Sequence, residues 1–105
     1  MSSTIKILNR AISERKIAVV RCNNQHAIRV IEPHVIYTTG SGEIVVECFQ
    51  TRGFTESGNP PPLWTKFRIA SIRSVYLLND TFEVRLADGF DPEKMAYRHG
   101  RLSMV

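Results

Sequence analysis

The chain predicts a mainly β fold: an N-terminal helix followed by about five short antiparallel strands that curl into a small, partly open barrel. Three features carry this expectation. Apolar residues recur at three- and four-residue spacing only near the start, at Ile5, Leu8 and Ile12. Beyond residue 16 they recur at two-residue spacing in short runs, the period of a half-buried strand. Asn, Gly and Pro clusters separate these runs.

Each element follows from its residues. Residues 3–16 read as a helix, with Ala11 completing a narrow apolar stripe and Ser2, Ser3 or Thr4 able to cap its start. So short a stripe must dock on something to be stable. Residues 17–22 read as a strand with Ala18, Val20 and Cys22 on one face. Asn23-Asn24 suits a tight turn, 26–32 the return strand, and Pro33 the end of regular pairing, with 34–38 remaining extended. Residues 39–42 form a Gly-Ser turn, and 43–50 alternate most cleanly, with Ile44, Val46 and Cys48 facing a core.

Residues 52–62, with two glycines and three consecutive prolines, read as a loop. A strand at 63–69, a bend at 70–73 and a last strand at 74–78 follow; Asn79-Asp80 then turns the chain and Phe82 plugs the core. This order suggests an SH3-like or Sm-like barrel over residues 1–82. Residues 83–105, turn-rich and weakly periodic, read as an irregular C-terminal tail that wraps the domain or reaches a partner. The face assignments predict burial of Val20, Ile44, Val46, Phe67 and Val75, and exposure of Arg21, Glu43, Glu47 and Lys66.

Composition sets the class of protein. The 105 residues make one domain, and 43% hydrophobic residues with nine aromatics argue against disorder. No run reaches the roughly 18 apolar residues of a membrane helix, and the first residues lack the apolar core of a secretion signal. A cytoplasmic protein without membrane contact is expected, with Cys22 and Cys48 reduced. The formal net charge is +4, with ten Arg against four Lys. The planar fork of Arg suits phosphate and carboxylate, but the balance allows an anionic partner without demanding one, since many solvated surfaces are mildly basic.

The most informative stretch is 63–69. Leu63, Thr65, Phe67 and Ile69 share its core face, while Trp64, Lys66 and Arg68 share the other. An indole beside two cations offers stacking and phosphate pairing together, the chemistry that binds a nucleotide or single-stranded nucleic acid. The competing expectation is that Trp64 covers the sheet edge while Lys66 and Arg68 stay solvated.

No catalytic constellation stands out. Cys22, His26, His34 and Cys48 have spacings that match no compact zinc knuckle. No serine elbow, phosphate-cradling Gly loop or carboxylate pair is present. A non-enzymatic protein without metal or cofactor is expected.

Ala11-Ile12 before a strand, Arg29-x-x-x-Pro33, a hairpin, Phe67-Arg68-x-x-x-Ile72 and a later Phe82 together resemble a WYL domain. The resemblance spans roughly residues 7–82. It is closest to the small stand-alone members, with Gln50 before a loop containing Gly53, Ser57 and Gly58, and Trp64 three residues before Phe67. It implies an Sm-like barrel acting as a ligand-sensing module, of the kind attached to helix-turn-helix elements in bacterial regulators. It also implies single-stranded nucleic acid or nucleotide binding in a basic pocket. Glu43-Ile44-Val45 stands where the naming Trp-Tyr-Leu would be, Ser71 where members often carry Arg, and no helix-turn-helix fits within the chain.

The resemblance carries Arg29 over as a pocket cation; its alternative is a surface Arg paired with Glu32 or Glu47. Arg52 on the loop and Arg73 near the bend are candidate phosphate contacts. Gln50 would read a base edge or bond its own loop backbone, the second being the favoured expectation. The ligand set expected is therefore Trp64, Lys66, Arg68, Arg29, Arg73, Arg52 and Gln50. The alternative function is a protein-interaction or oligomerisation module, working through sheet edges and the C-terminal tail and forming a homo-oligomer.

Overall fold

The computed structural model describes residues 3–23, 27–98 and 100–105. It is mainly β, with helix α1 (Ser3–Glu14) followed by strands β1 (Lys16–Cys22), β2 (Arg29–Thr38), β3 (Ile44–Gly53), β4 (Leu63–Arg68) and β5 (Ile72–Thr81). A 3-10 turn at Ile69–Ser71 joins β4 to β5, and the chain ends with short helix α2 (Met95–Arg98) and strand β6 (Arg101–Met104).

The helix stops two residues before its expected limit of 16. Arg15 adopts φ 53° and donates its N–H to Ile12 C=O at 3.3 Å, which terminates the helix and turns Lys16 into β1. Leu8, Ala11 and Ile12 are buried against the sheet, as the stripe predicts. Ser2, one of the three candidate caps, lies outside the described residues.

All the strand pairings are antiparallel, in the order β4-β3-β2-β1-β5. No ladder joins the end strands β4 and β5 among the described residues. Two bonds from Asn23, its N–H to Ser71 C=O at 2.8 Å and its side-chain amide to Ala70 C=O at 3.1 Å, tie the end of β1 to the turn between them. One edge of β2 serves two partners. Its first half pairs with β1 (Ala18 opposite Ile31), and its second half pairs with β6 (Val35 opposite Met104).

Several strand limits differ from expectation: β3 runs on to Gly53, into the expected loop, and β5 already begins at Ile72. Pro33 does not end pairing: it sits opposite Cys48 within β2, and a register shift between Pro33 and Val35 accommodates the residue that lacks an N–H. Asn79-Asp80 does not turn, because β5 continues to Thr81, opposite Lys16, and Phe82 N–H then bonds Arg15 C=O at 2.8 Å. The described part of β2 begins at Arg29 rather than 26; Asn24 and His26 of the expected turn and strand lie outside the described residues.

Both faces of the sheet are covered. On one, α1 packs over Ala18, Val20, Ile31, Ile36, Val46, Cys48 and Phe67. On the other, Phe90 and Tyr97 close over Val35, Tyr37 and Val45. The C-terminal residues expected as an irregular tail thus build a second core and add a sixth strand. Val20, Val46 and Phe67 are buried and Ile44 and Val75 half-buried, while Arg21, Glu43 and Lys66 are exposed. Glu47, expected exposed, is half-buried by the C-terminal cover. No helix among the described residues is long and apolar enough to cross a membrane.

Candidate ligand-binding clefts

The alternation of β4 places Trp64, Lys66 and Arg68 opposite Phe49, Glu47 and Val45 of β3. The row foreseen in the sequence therefore exists, but its three members differ in environment. Trp64 is half-buried, edge-on to Phe49 at 5.1 Å and to His34 at 5.0 Å, and stacked on Phe90 at 6.0 Å between ring centroids. Its indole N–H donates to Asp88 C=O at 2.8 Å. The indole is thus a bracket between the sheet and the C-terminal cover, not a free stacking platform.

Lys66 is exposed and makes no ion pair among the described residues. Arg68 meets Glu43 at 3.3 Å, with both side chains at least half exposed, an arrangement worth about 0–1 kcal/mol. Both cations line a cleft of about 470 Å³ beside β4, whose other walls include Cys22, Asn23, Glu56 and Ser71.

Arg29 is not a surface residue, and it pairs with neither Glu32 nor Glu47. Its side chain is 5% exposed, meets Glu56 at 3.4 Å and lies 4.8 Å from the Phe67 ring centroid and 5.4 Å from that of Phe54. Gly53 makes this approach feasible: it sits opposite Arg29 at φ 100°, where an added Cβ would strike the Ile28 carbonyl. Arg29, Glu56, Trp64 and Lys66 line a neighbouring cleft of about 250 Å³.

The other candidates fall outside these clefts. Arg52 and Arg73 are exposed, on the end of β3 and the start of β5, and line neither. Gln50 is fully buried and donates to Arg52 C=O at 3.1 Å and Phe54 C=O at 2.8 Å. It anchors the loop backbone.

The cysteines are free and buried. Burial pushes the Cys48 thiol up to about 12 and raises that of Cys22, so both stay protonated and weakly nucleophilic at neutral pH. No group of three potential metal-ligating side chains occurs among the described residues; His26 lies outside them.

Three arrangements were not legible in the sequence. Glu32 and Arg85 form a bidentate pair at 2.8 and 3.0 Å. The Glu47 carboxylate accepts the hydroxyls of Tyr37 at 2.7 Å and Tyr97 at 2.9 Å. Around it, Trp64, Phe90, Asp91, Lys94 and Tyr97 line a cleft of about 370 Å³. The only sequence signal was the presence of aromatics in 82–105, whose irregular spacing gave no partner.

No protein-family model, curated protein sequence or solved structure matches the chain.

Proposed function

We propose that the protein is a non-enzymatic cytoplasmic binding module that takes a phosphate-bearing ligand, a nucleotide or single-stranded nucleic acid, beside β4. The supporting observation is the cleft of about 470 Å³ in which Lys66 and Arg68 stand together opposite Asn23 and Ser71. Alternate strand positions lie about 6.7 Å apart, which separates the two cations enough to meet different phosphoryl groups. An ammonium supplies a point charge and a guanidinium a fork, while amide and hydroxyl groups add uncharged bonds. Glu56 lines this cleft as well as the neighbouring one, and its carboxylate is held by Arg29 at 3.4 Å. Trp64 acts as a wall here, so base stacking on its open face is not part of this reading.

The WYL resemblance is part of the same proposal. It is supported by Arg29 and Pro33 lying on one strand, Phe67 and Arg68 on another, and the helix preceding the sheet. The resemblance implies a regulatory role as a ligand sensor.

Fluorescence anisotropy of labelled single-stranded DNA and RNA across a salt series tests this reading, with nucleoside mono- and triphosphates as competitors. Arg68→Gln and Lys66→Gln should each flatten the slope of log affinity against log salt by about 0.7, the value for one phosphate contact on a single strand. Wild-type protein that binds neither strand and no nucleotide would defeat it.

A second reading, an interaction module that assembles with itself, has its own supporting observation. Among the described residues β4 and β5 end the sheet with unpaired edges, and a mainly apolar cleft of about 350 Å³ lined by Ile5, Ile44, Ile69 and Ala70, together with Glu43 and Arg68, opens beside β4. A salt-insensitive oligomer in light scattering, together with no anion binding, would favour it.

A further inference from the structure

The geometry points to a second binding site, for the guanidinium of an arginine side chain in a basic peptide, in the cleft built around Glu47. Glu47 is half-buried and makes no ion pair among the described residues. Its two oxygens each accept one phenol, Tyr37 at 2.7 Å and Tyr97 at 2.9 Å. A carboxylate has about four lone-pair sites, so each oxygen retains one. The two phenols fix the carboxylate in place, and it lines the cleft of about 370 Å³ together with Trp64, Phe90 and Tyr97. Half-buried and fixed by two phenols, with Lys66 and Lys94 along the same cleft wall but no ion pair among the described residues, the carboxylate retains acceptor sites for a cation.

The carboxylate favours a guanidinium over an ammonium. A planar fork matches the two oxygens of a carboxylate, which a compact point charge does not. A cation already stands at this wall: the Lys94 ammonium lies 5.7 Å from the Tyr97 ring centroid. Lys94 is exposed, so it serves as an internal competitor that an incoming arginine displaces. Two other charges set the balance. Asp91 lines the cleft but accepts Glu93 N–H at 2.9 Å, and Lys66 lies across from Glu47 in the strand register. An anion drawn by Lys66 and Lys94 would have to sit against the Glu47 carboxylate, whereas a guanidinium neutralises it. The guanidinium site is separate in chemistry from the phosphate cleft and does not depend on it.

The test uses a capped Gly-Arg-Gly peptide and its citrulline counterpart, which keeps the shape and loses the charge. Trp64, the sole tryptophan, lines the cleft and reports binding by fluorescence, with calorimetry as a check. The arginine peptide should bind at least tenfold more tightly than the citrulline one. Glu47→Gln should abolish that preference. Lys94→Ala, an exposed substitution that leaves the core intact, should tighten arginine binding several-fold, a gain that a purely structural role for the Glu47 cluster does not produce. Equal response to arginine and citrulline, a loss of binding in Lys94→Ala, or a Trp64 response to inorganic phosphate instead of the arginine peptide would each overturn the proposal.

Discussion

His34 Nε2 accepts the backbone N–H of Arg85 at 3.1 Å, which ties the middle of the sheet to the first residues of its C-terminal cover. With Nε2 accepting, the proton resides on Nδ1, which donates to Glu32 C=O at 2.8 Å. The ring is fully buried and stacks on Phe82 at 5.2 Å. Burial lowers its pKa below the ordinary 6.5. Protonation would set an N–H against the Arg85 N–H.

A pH dependence follows, with a definite sign. Above pH 6.5 both folded and unfolded states hold His34 neutral, and its contribution is fully present. Below that the unfolded chain binds the proton first, so stability falls as pH drops toward the lowered folded pKa. Thermal melts from pH 8 to 5 should show a declining midpoint below about 6.5, and His34→Gln should flatten that decline. A midpoint independent of pH over this range would refute the assignment.

Two of the Arg–Glu pairs, Arg85–Glu32 and Arg68–Glu43, should differ sharply in energy. Arg85 is 35% and Glu32 5% exposed, so Arg85→Ala strands a buried carboxylate. The expected loss is about 2–4 kcal/mol, below that of a fully enclosed pair because Arg85 keeps some solvent. Arg68→Ala at the exposed Glu43 pair should cost about 0–1 kcal/mol. Urea denaturation of both variants measures the contrast; equal losses would mean the C-terminal cover is loosely held.

Val46 is fully buried between the sheet and α1. Val46→Ala should cost about 1.5–3 kcal/mol, from two lost methyl groups and the cavity left behind. Trp64→Phe should cost about 1–2 kcal/mol through loss of the bond to Asp88 and of ring contact. A neutral Trp64→Phe would show that the cover does not depend on that bracket.

Cys48 has no exposed surface and a thiol raised to about 12. Native protein at pH 8 should react slowly with a thiol reagent, and denatured protein prepared without reductant should titrate both cysteines. Rapid labelling of Cys48 in the native state would contradict its burial.

Periodic elements were readable in the sequence because period two survives burial on one face: Val46 and Cys48 on β3, and Phe67 against Lys66 on β4, fall where alternation puts them. The second core was not readable. Phe90 and Tyr97 fall in a stretch without regular apolar periodicity, and their partners Val35 and Val45 lie some fifty residues away, so only tertiary packing joins them. The same cover changed Trp64 from a platform to a bracket and half-buried Glu47. Pro33 misled because a bulge within β2 tolerates what a regular ladder does not. For the candidate site, the strand that carries Lys66 and Arg68 was legible. Its facing wall was not, because Asn23 and Ser71 are brought there by the closure of β1 onto the 3-10 turn.

The most direct measurement of phosphate-ligand binding beside β4 is a heteronuclear NMR titration of the folded protein with a short single-stranded oligonucleotide and, separately, with a nucleoside triphosphate. The expected result is a saturable set of shifts centred on Asn23, Lys66, Arg68 and Ser71, lost in Lys66→Gln combined with Arg68→Gln. Shifts confined to Ile5, Ile44 and Ile69, or none at all with both ligands, would contradict it.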